Sequence, residues 1–238
     1  MDSSAVTRIL AVAAHPDDLD FGAAGTTATW TDAGTEVTYL LCTRGDQGGF
    51  DDTPREDMPK IREAEQRAAA AAVGVTDVRF LDGYRDGWLD PTHELQRDIV
   101  RVIRQVRPER MLIQSPERNW TRIGASHPDH LAAGEASIRA VYPAARNPFS
   151  YPELLQDEGL EPWTVKEVWL MADPNADHFV DITDTFARKL EALHAHTSQT
   201  SHMEDLESML RMWGGRTAQA AGLPEGRLAE MFRVVQTG

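Results

Sequence analysis

Basic residues are scarce in this chain. Lys and Arg number 24 against 38 Asp and Glu in 238 residues, a formal net charge of −14 at pH 7. Such a balance repels a phosphate backbone and an anionic bilayer surface alike, so neither nucleic acid nor membrane is an expected partner. Cysteine is almost missing. Cys42 stands alone, which excludes an intrachain disulfide framework and a thiolate zinc cluster. Its apolar neighbours suit a buried core thiol. No apolar run is long enough to cross a bilayer. Met1–Ser4 lacks the basic start and apolar run of a secretory leader. The expectation is a cytoplasmic protein. With 41% hydrophobic residues and no low-complexity linker or internal repeat, residues 1–238 read as one domain.

Apolar runs rich in β-branched residues recur at Arg8–Ala14, Glu36–Cys42, Val78–Leu81, Arg110–Gln114 and Val165–Met171. Segments of helical period lie between them at Phe21–Ala33, Lys60–Val73, His93–Val106 and Asp129–Val141. Strand and helix alternating in this order predict a mostly parallel sheet with helices on both faces, an α/β three-layer sandwich. The regularity fails after about Asn147. Pro148–Trp163 reads as a loop. A strand pair at Lys166–Met171 and His178–Ile182 follows, then helices from Thr185 and a short apolar tail, Met231–Val235.

In open α/β sheets, ligands gather beyond the carboxyl ends of the strands. The first run ends in His15-Pro16-Asp17-Asp18, and the fourth leads into His127-Pro128-Asp129-His130. Either segment alone has a plain structural explanation. Asp17, Asp18 or Asp20 can cap a helix, and Ser126 with Pro128 and Asp129 suits a helix start. Together they bring three imidazoles and three carboxylates to one edge. That density fits a catalytic zinc with three His or Asp ligands and an open position. In that reading His15, Asp18 and His130 are ligands and Asp17, beside them, takes a proton. His127 donates to the developing oxyanion or the leaving amine, and Asp129 holds the His127 ring in its charged form.

The motifs AHPDD at Ala14–Asp18 and HPDH at His127–His130 resemble the LmbE-like (PIG-L) family of zinc-dependent N-acetylglucosaminide deacetylases. Three further elements are similar to that family: Thr43–Gly49 (TRGDQGG), Arg62-Glu63 with Glu65, and His196-Thr197-Ser198-Gln199. The resemblance runs from Ile9 to about Gln199. It implies a Rossmann-like fold and zinc ligands His15, Asp18 and His130, with other divalent metals such as Fe2+ also admissible. It also implies Asp17 as general base and His127 as acid or oxyanion stabiliser. The implied substrate is a small GlcNAc-containing conjugate that loses an N-acetyl or related N-acyl group. Arg62, Asp46 and His196 are expected to touch that substrate, and a homo-oligomer stays open. Ala125-Ser126 departs from the Tyr-Gly pair of mycothiol-pathway members, which speaks against a mycothiol precursor.

Other readings carry less. A dinucleotide-binding domain needs G-x-G-x-x-G where His15-Pro16-Asp17-Asp18 stands. A phosphoester hydrolase with two metals needs more bridging carboxylates. An amidase of thiol-sugar conjugates shares the same residues. A non-catalytic zinc or sugar binder has no use for Asp17 or His127.

Overall fold

The computed structural model describes residues 6–238; the Met1–Ser4 segment read for a leader lies outside them. The chain alternates β1 (Arg8–Ala13), α1 (Asp18–Asp32), β2 (Glu36–Leu41), α2 (Met58–Ala72), β3 (Asp77–Phe80), α3 (His93–Val106), β4 (Arg110–Gln114) and α4 (Pro128–Arg139). It continues through α5 (Pro152–Gln156), β5 (Glu167–Met171), β6 (His178–Asp181), α6 (Phe186–Ala195), α7 (Thr197–Thr200), α8 (Leu206–Ala220) and β7 (Ala229–Gln236). The strands form one sheet in the order β3-β2-β1-β4-β5-β7-β6, parallel from β3 to β5. The expected α/β sandwich is what the chain adopts. Among the described residues no helix is long and apolar enough to cross a membrane.

β1 shows why this sheet must be covered on both faces. Its side chains alternate, as strand geometry requires. Ile9, Ala11 and Ala13 enter one apolar layer with Ala23, Ala24 and Ala28 of α1 and Ala69 and Ala70 of α2. Leu10 and Val12 enter the opposite layer with Ile99 and Ile103 of α3 and Ala132 and Ala136 of α4. Cys42 is buried in that second layer. The chain steps outward from β1 to β2 and β3, then returns to place β4 on the other side of β1. The crevice between the carboxyl ends of β1 and β4 is therefore the topological switch point.

The C-terminal region differs from the expectation. Lys166–Met171 and His178–Ile182 do contain strands, but these do not pair with each other. β7, built from the apolar tail, lies between them and is antiparallel to both. The register explains how a short link suffices. Phe232 of β7 sits opposite both Met171, the last residue of β5, and His178, the first of β6. β6 thus begins at the level where β5 stops, on the other edge of β7. The Pro148–Trp163 stretch also holds one short helix, α5, with Pro152 in its first turn.

Helix α1 begins three residues earlier than its apolar period indicated, because its first turn is made of the polar residues Asp18 and Asp20. Helix α4 is set against the end of β4 by Gly134. A Cβ there would meet the Gln114 carbonyl oxygen at 2.4 Å and the Pro116 nitrogen at 2.9 Å. Both obstacles are backbone, so the helix must move. Gly134→Ala is expected to lower stability by about 1–3 kcal/mol, as overpacking does, despite the better helix propensity of Ala. Denaturant melts of the two proteins measure this.

Candidate active and metal site

The loop leaving β1 turns sharply. Asp17 has a φ of 90°, a left-handed conformation uncommon for a residue with a side chain. Its backbone N–H donates to Gln66 Oε1 at 2.8 Å. Its carboxylate accepts from Arg62 at 3.0 Å. The same guanidinium donates to the Pro16 and Gly45 carbonyls at 2.5 and 3.2 Å. Arg62 crosses the Gly-rich loop so closely that a Cβ on Gly45 or Gly48 would fall 2.1 or 2.5 Å from its nitrogen. Gly45 and Gly48 of TRGDQGG are the clearance for this arginine.

Asp18 follows at the start of α1 and faces the opposite way. One carboxylate oxygen lies 2.9 Å from His130 Nε2, and the other 3.3 Å from His15 Nδ1. The rings of His15, His127 and His130 stand 5.1–5.3 Å apart between centroids. A nitrogen from each of the three falls within 4.8 Å of the others, close enough to share an ion. The far nitrogen of His15, Nε2, faces Asp86 at 3.0 Å and Asp129 at 3.1 Å. A metal-binding histidine ordinarily donates its remote N–H to a carboxylate in this way. That arrangement leaves Nδ1, on the Asp18 side, as the nitrogen that could face an ion. His15, Asp86 and Asp129 also lie within one ion's reach of each other. Their acceptors are spoken for, however: Asp129 takes the N–H of Gly87 at 2.6 Å and Asp86 that of Gln47 at 3.0 Å. Two imidazoles and one carboxylate, from His15, Asp18 and His130, form a donor set that suits Zn2+ and also Fe2+.

The carboxylates divide into two kinds. Burial would raise Asp18, but His130 and His15 hold it well below the usual carboxylate range. Asp86 and Asp129 are also held low, burial being outweighed by hydrogen bonds to His15 and backbone N–H groups. Asp17 goes the other way. Burial pushes it up to about 6, with Asp18 adding repulsion and Arg62 only partly offsetting it.

Asp129 is not where the sequence suggested. Its carboxylate serves His15, whereas its backbone N–H donates to His127 Nδ1 at 3.2 Å. His127, not Ser126, is therefore the N-cap of α4. Because Nδ1 accepts, the ring proton belongs on Nε2. Burial, His15 and His130 lower the His127 pKa, so at neutral pH the ring is an uncharged N–H donor rather than an imidazolium.

Of the three residues expected to touch substrate, Arg62 and His196 are buried behind the site. Arg62 is 4% exposed and engaged as described. His196 is fully buried, and its Nε2 meets Asp20 at 2.8 Å. Gln66 donates to the same Asp20 oxygen at 2.7 Å, which links His196 through Asp20 and Gln66 to the backbone of Asp17. Asp46 accepts the N–H of Asp86 and positions that loop. Ser198 of the late motif donates from N and Oγ to Glu65, each at 2.7 Å, fastening α7 to α2. Asp86 was missed by sequence reasoning. The signal available was that β3 is parallel to β2 and so opens at the same edge.

Comparison with known proteins agrees with the geometry. The family profile described as "PIG-L: GlcNAc-PI de-N-acetylase" matches residues 10–141. The diacetylchitobiose deacetylase of Thermococcus kodakarensis is 35% identical over 195 residues, 82% of this chain and 70% of that protein. A probable N-acetyl-alpha-D-glucosaminyl L-malate deacetylase 2 of Bacillus cereus is 32% identical over 213 residues, covering 86% and 89%. The N,N'-diacetylchitobiose deacetylase of Pyrococcus horikoshii, solved with an inhibitor, superposes with a TM-score of 0.88 at 28% identity, covering 98% of this chain and 85% of the other.

The buried His196 yields a stability prediction. Burial disfavours its charge, but Asp20 outweighs this and raises its pKa above the ordinary value. The folded state then binds the proton more tightly than the unfolded state. Stability is fully present below about pH 6.5 and falls as pH rises through the folded pKa. The slope is at most about 1.4 kcal/mol per pH unit. In chelator-treated protein, His196→Gln should show a shallower loss of unfolding free energy between neutral and alkaline pH than wild type. Parallel curves for the two proteins would refute this.

Proposed function

Because the chain belongs to the PIG-L (GlcNAc-PI de-N-acetylase) family, we propose that it hydrolyses the N-acyl amide of a small amino-sugar conjugate at a metal held by His15, Asp18 and His130. The observation that carries this reading is the Asp18 carboxylate bridging His15 and His130, with Asp17 beside it but turned to Arg62. A cation in the position those three side chains surround would replace the contacts they make with one another. A bound Zn2+ or Fe2+ polarises an amide carbonyl and acidifies water.

The protein's own residues supply the proton transfers. Asp17 is the base: its raised pKa makes it a stronger proton acceptor than the carboxylates around it while leaving it largely ionised at neutral pH. Arg62 and Gln66 hold it in place from behind. His127 presents its Nε2–H to the oxyanion or to the leaving nitrogen, acting as a neutral donor. Asp129 and Asp86 fix the tautomer and direction of His15. A simple metal carrier has no need of an aspartate strained into a left-handed turn. The single-domain organisation over residues 1–238, a cytoplasmic location and the substrate's amino-sugar character belong to this same reading.

His130→Ala should lose metal and activity together, measured by elemental analysis and amine release from N-acetylglucosamine conjugates. Asp17→Asn should keep its metal while turnover falls by about 10²–10⁴-fold, the range of a general base. Metal loss in proportion to activity would remove Asp17 from that role. Asp129→Ala should weaken metal binding about 10–100-fold, since it frees the far nitrogen of His15. A chelator competition titration reads that change directly.

A further inference from the structure

Beside the metal-site residues lies a cavity of about 410 Å³ that the proton-transfer chemistry does not use. Asp18 and His130 form one part of its wall, and Phe21, Met171, Ile182, Met209, Trp213 and Met231 are among its apolar lining. Its volume falls within the range of about 300–1,000 Å³ typical of small-molecule sites, far more than one acetyl methyl fills. The cavity is built by the C-terminal region. α8 contributes Met209 and Trp213, and β7 contributes Met231. Its one buried ion pair, Lys189 with Glu230, is internally satisfied: Lys189 also donates to the Phe21 carbonyl, and Glu230 accepts the N–H groups of Gly25 and Thr26. That pair offers a ligand nothing. At the rim, Arg122 from the β4–α4 loop lies over the Trp213 ring at 5.5 Å and ties α8 to the site.

The direction of the substrate follows from proton transfer. Hydrolysis breaks the amide C–N bond, joins a water oxygen to the carbonyl carbon, and gives an amine and a carboxylic acid. The nitrogen takes up a proton as it leaves, so the amine lies near a proton carrier. Asp17 and His127 are the carriers, and neither lines the cavity. An acyl group directed away from the amine would pass Asp18 and His130, the site residues that do line the cavity. We propose that this cavity is an acyl site and that the preferred substrates are amino-sugar amides of apolar acids longer than acetic acid. The proposal rests on the amide-hydrolase reading above and adds to it the class of acyl group.

The test uses the metal-replete full chain and a series of N-acyl glucosamines from acetyl through butanoyl and hexanoyl to octanoyl. Each methylene moved from water into the cavity should raise kcat/KM about fourfold, equivalent to about 0.8 kcal/mol. Hexanoyl should therefore exceed acetyl by about 10²-fold. Met209→Trp, which fills the cavity, should erase that gradient. Trp213→Ala, at a half-exposed position, should flatten it, and serves if the first variant does not fold. Calorimetry with the product acids reads the cavity without turnover, and hexanoate should bind at least about tenfold tighter than acetate. An enzyme that cleaves acetyl as well as or better than every longer chain overturns the acyl site and leaves the hydrolase reading standing. Metal-replete protein that cleaves no member of the series overturns the hydrolase reading, and this proposal with it, whatever hexanoate does.

Discussion

Arg62 carries a positive charge into a position only 4% exposed, and such a charge is tolerated only where acceptors surround it. It finds them in the carbonyls of Pro16 and Gly45 and the carboxylate of Asp17. Each bond constrains a different part of the reactive edge. The contact with Gly45 forces a glycine loop after β2. The contact with Pro16 ties α2 to the turn after β1. The contact with Asp17, aided by Gln66, helps hold a side-chain-bearing residue in a left-handed conformation. Without a neighbouring charge of this kind, burial alone would push Asp17 further toward its neutral form.

The same edge separates acids by environment. Asp18, Asp86 and Asp129 each have a histidine partner and are held ionised. Asp17 is buried, and Arg62 only partly offsets that burial and the repulsion of Asp18, so its pKa is pushed up to about 6. Pairs of groups whose surroundings drive their pKa values apart mark the division between binding and proton transfer. Here the two pKa directions part between consecutive residues, which supports the separate roles proposed for them. The left-handed turn at Asp17 is what points the two carboxylates in different directions, one to Arg62 and the other to His15 and His130.

The parallel half of the sheet bears the two histidine motifs, and the antiparallel half walls the cavity beside them. β1 and β4 carry the two histidine motifs to the switch point. β5, β7 and α8 wall the adjoining cavity, whose apolar lining contrasts with the acidic surface of the chain.

The parallel sandwich, the edge that bears the site and the two histidine motifs were legible in the sequence, because period and local order encode strands, helices and the loops after them. The late His-x-Ser-Gln element and the Arg-and-Glu helix were visible as motifs, but their duties were not. Linear order cannot reveal that Arg62 and His196 face inward, since burial depends on what packs over them. The partner of Asp129 was misjudged for a related reason. His127 is its neighbour in sequence, yet a helix N-terminus turns the side chain of Asp129 toward β1, where His15 waits. The strand pairing after β5 was hidden because its antiparallel partner comes from a distant segment: β7 begins 58 positions beyond the end of β5. The apolar cavity belongs to the tertiary structure alone, since it is an arrangement of segments far apart in the chain. Local sequence therefore determined which residues are available for chemistry at this edge. Packing decided which of them meet, which are charged, and what lies beside them.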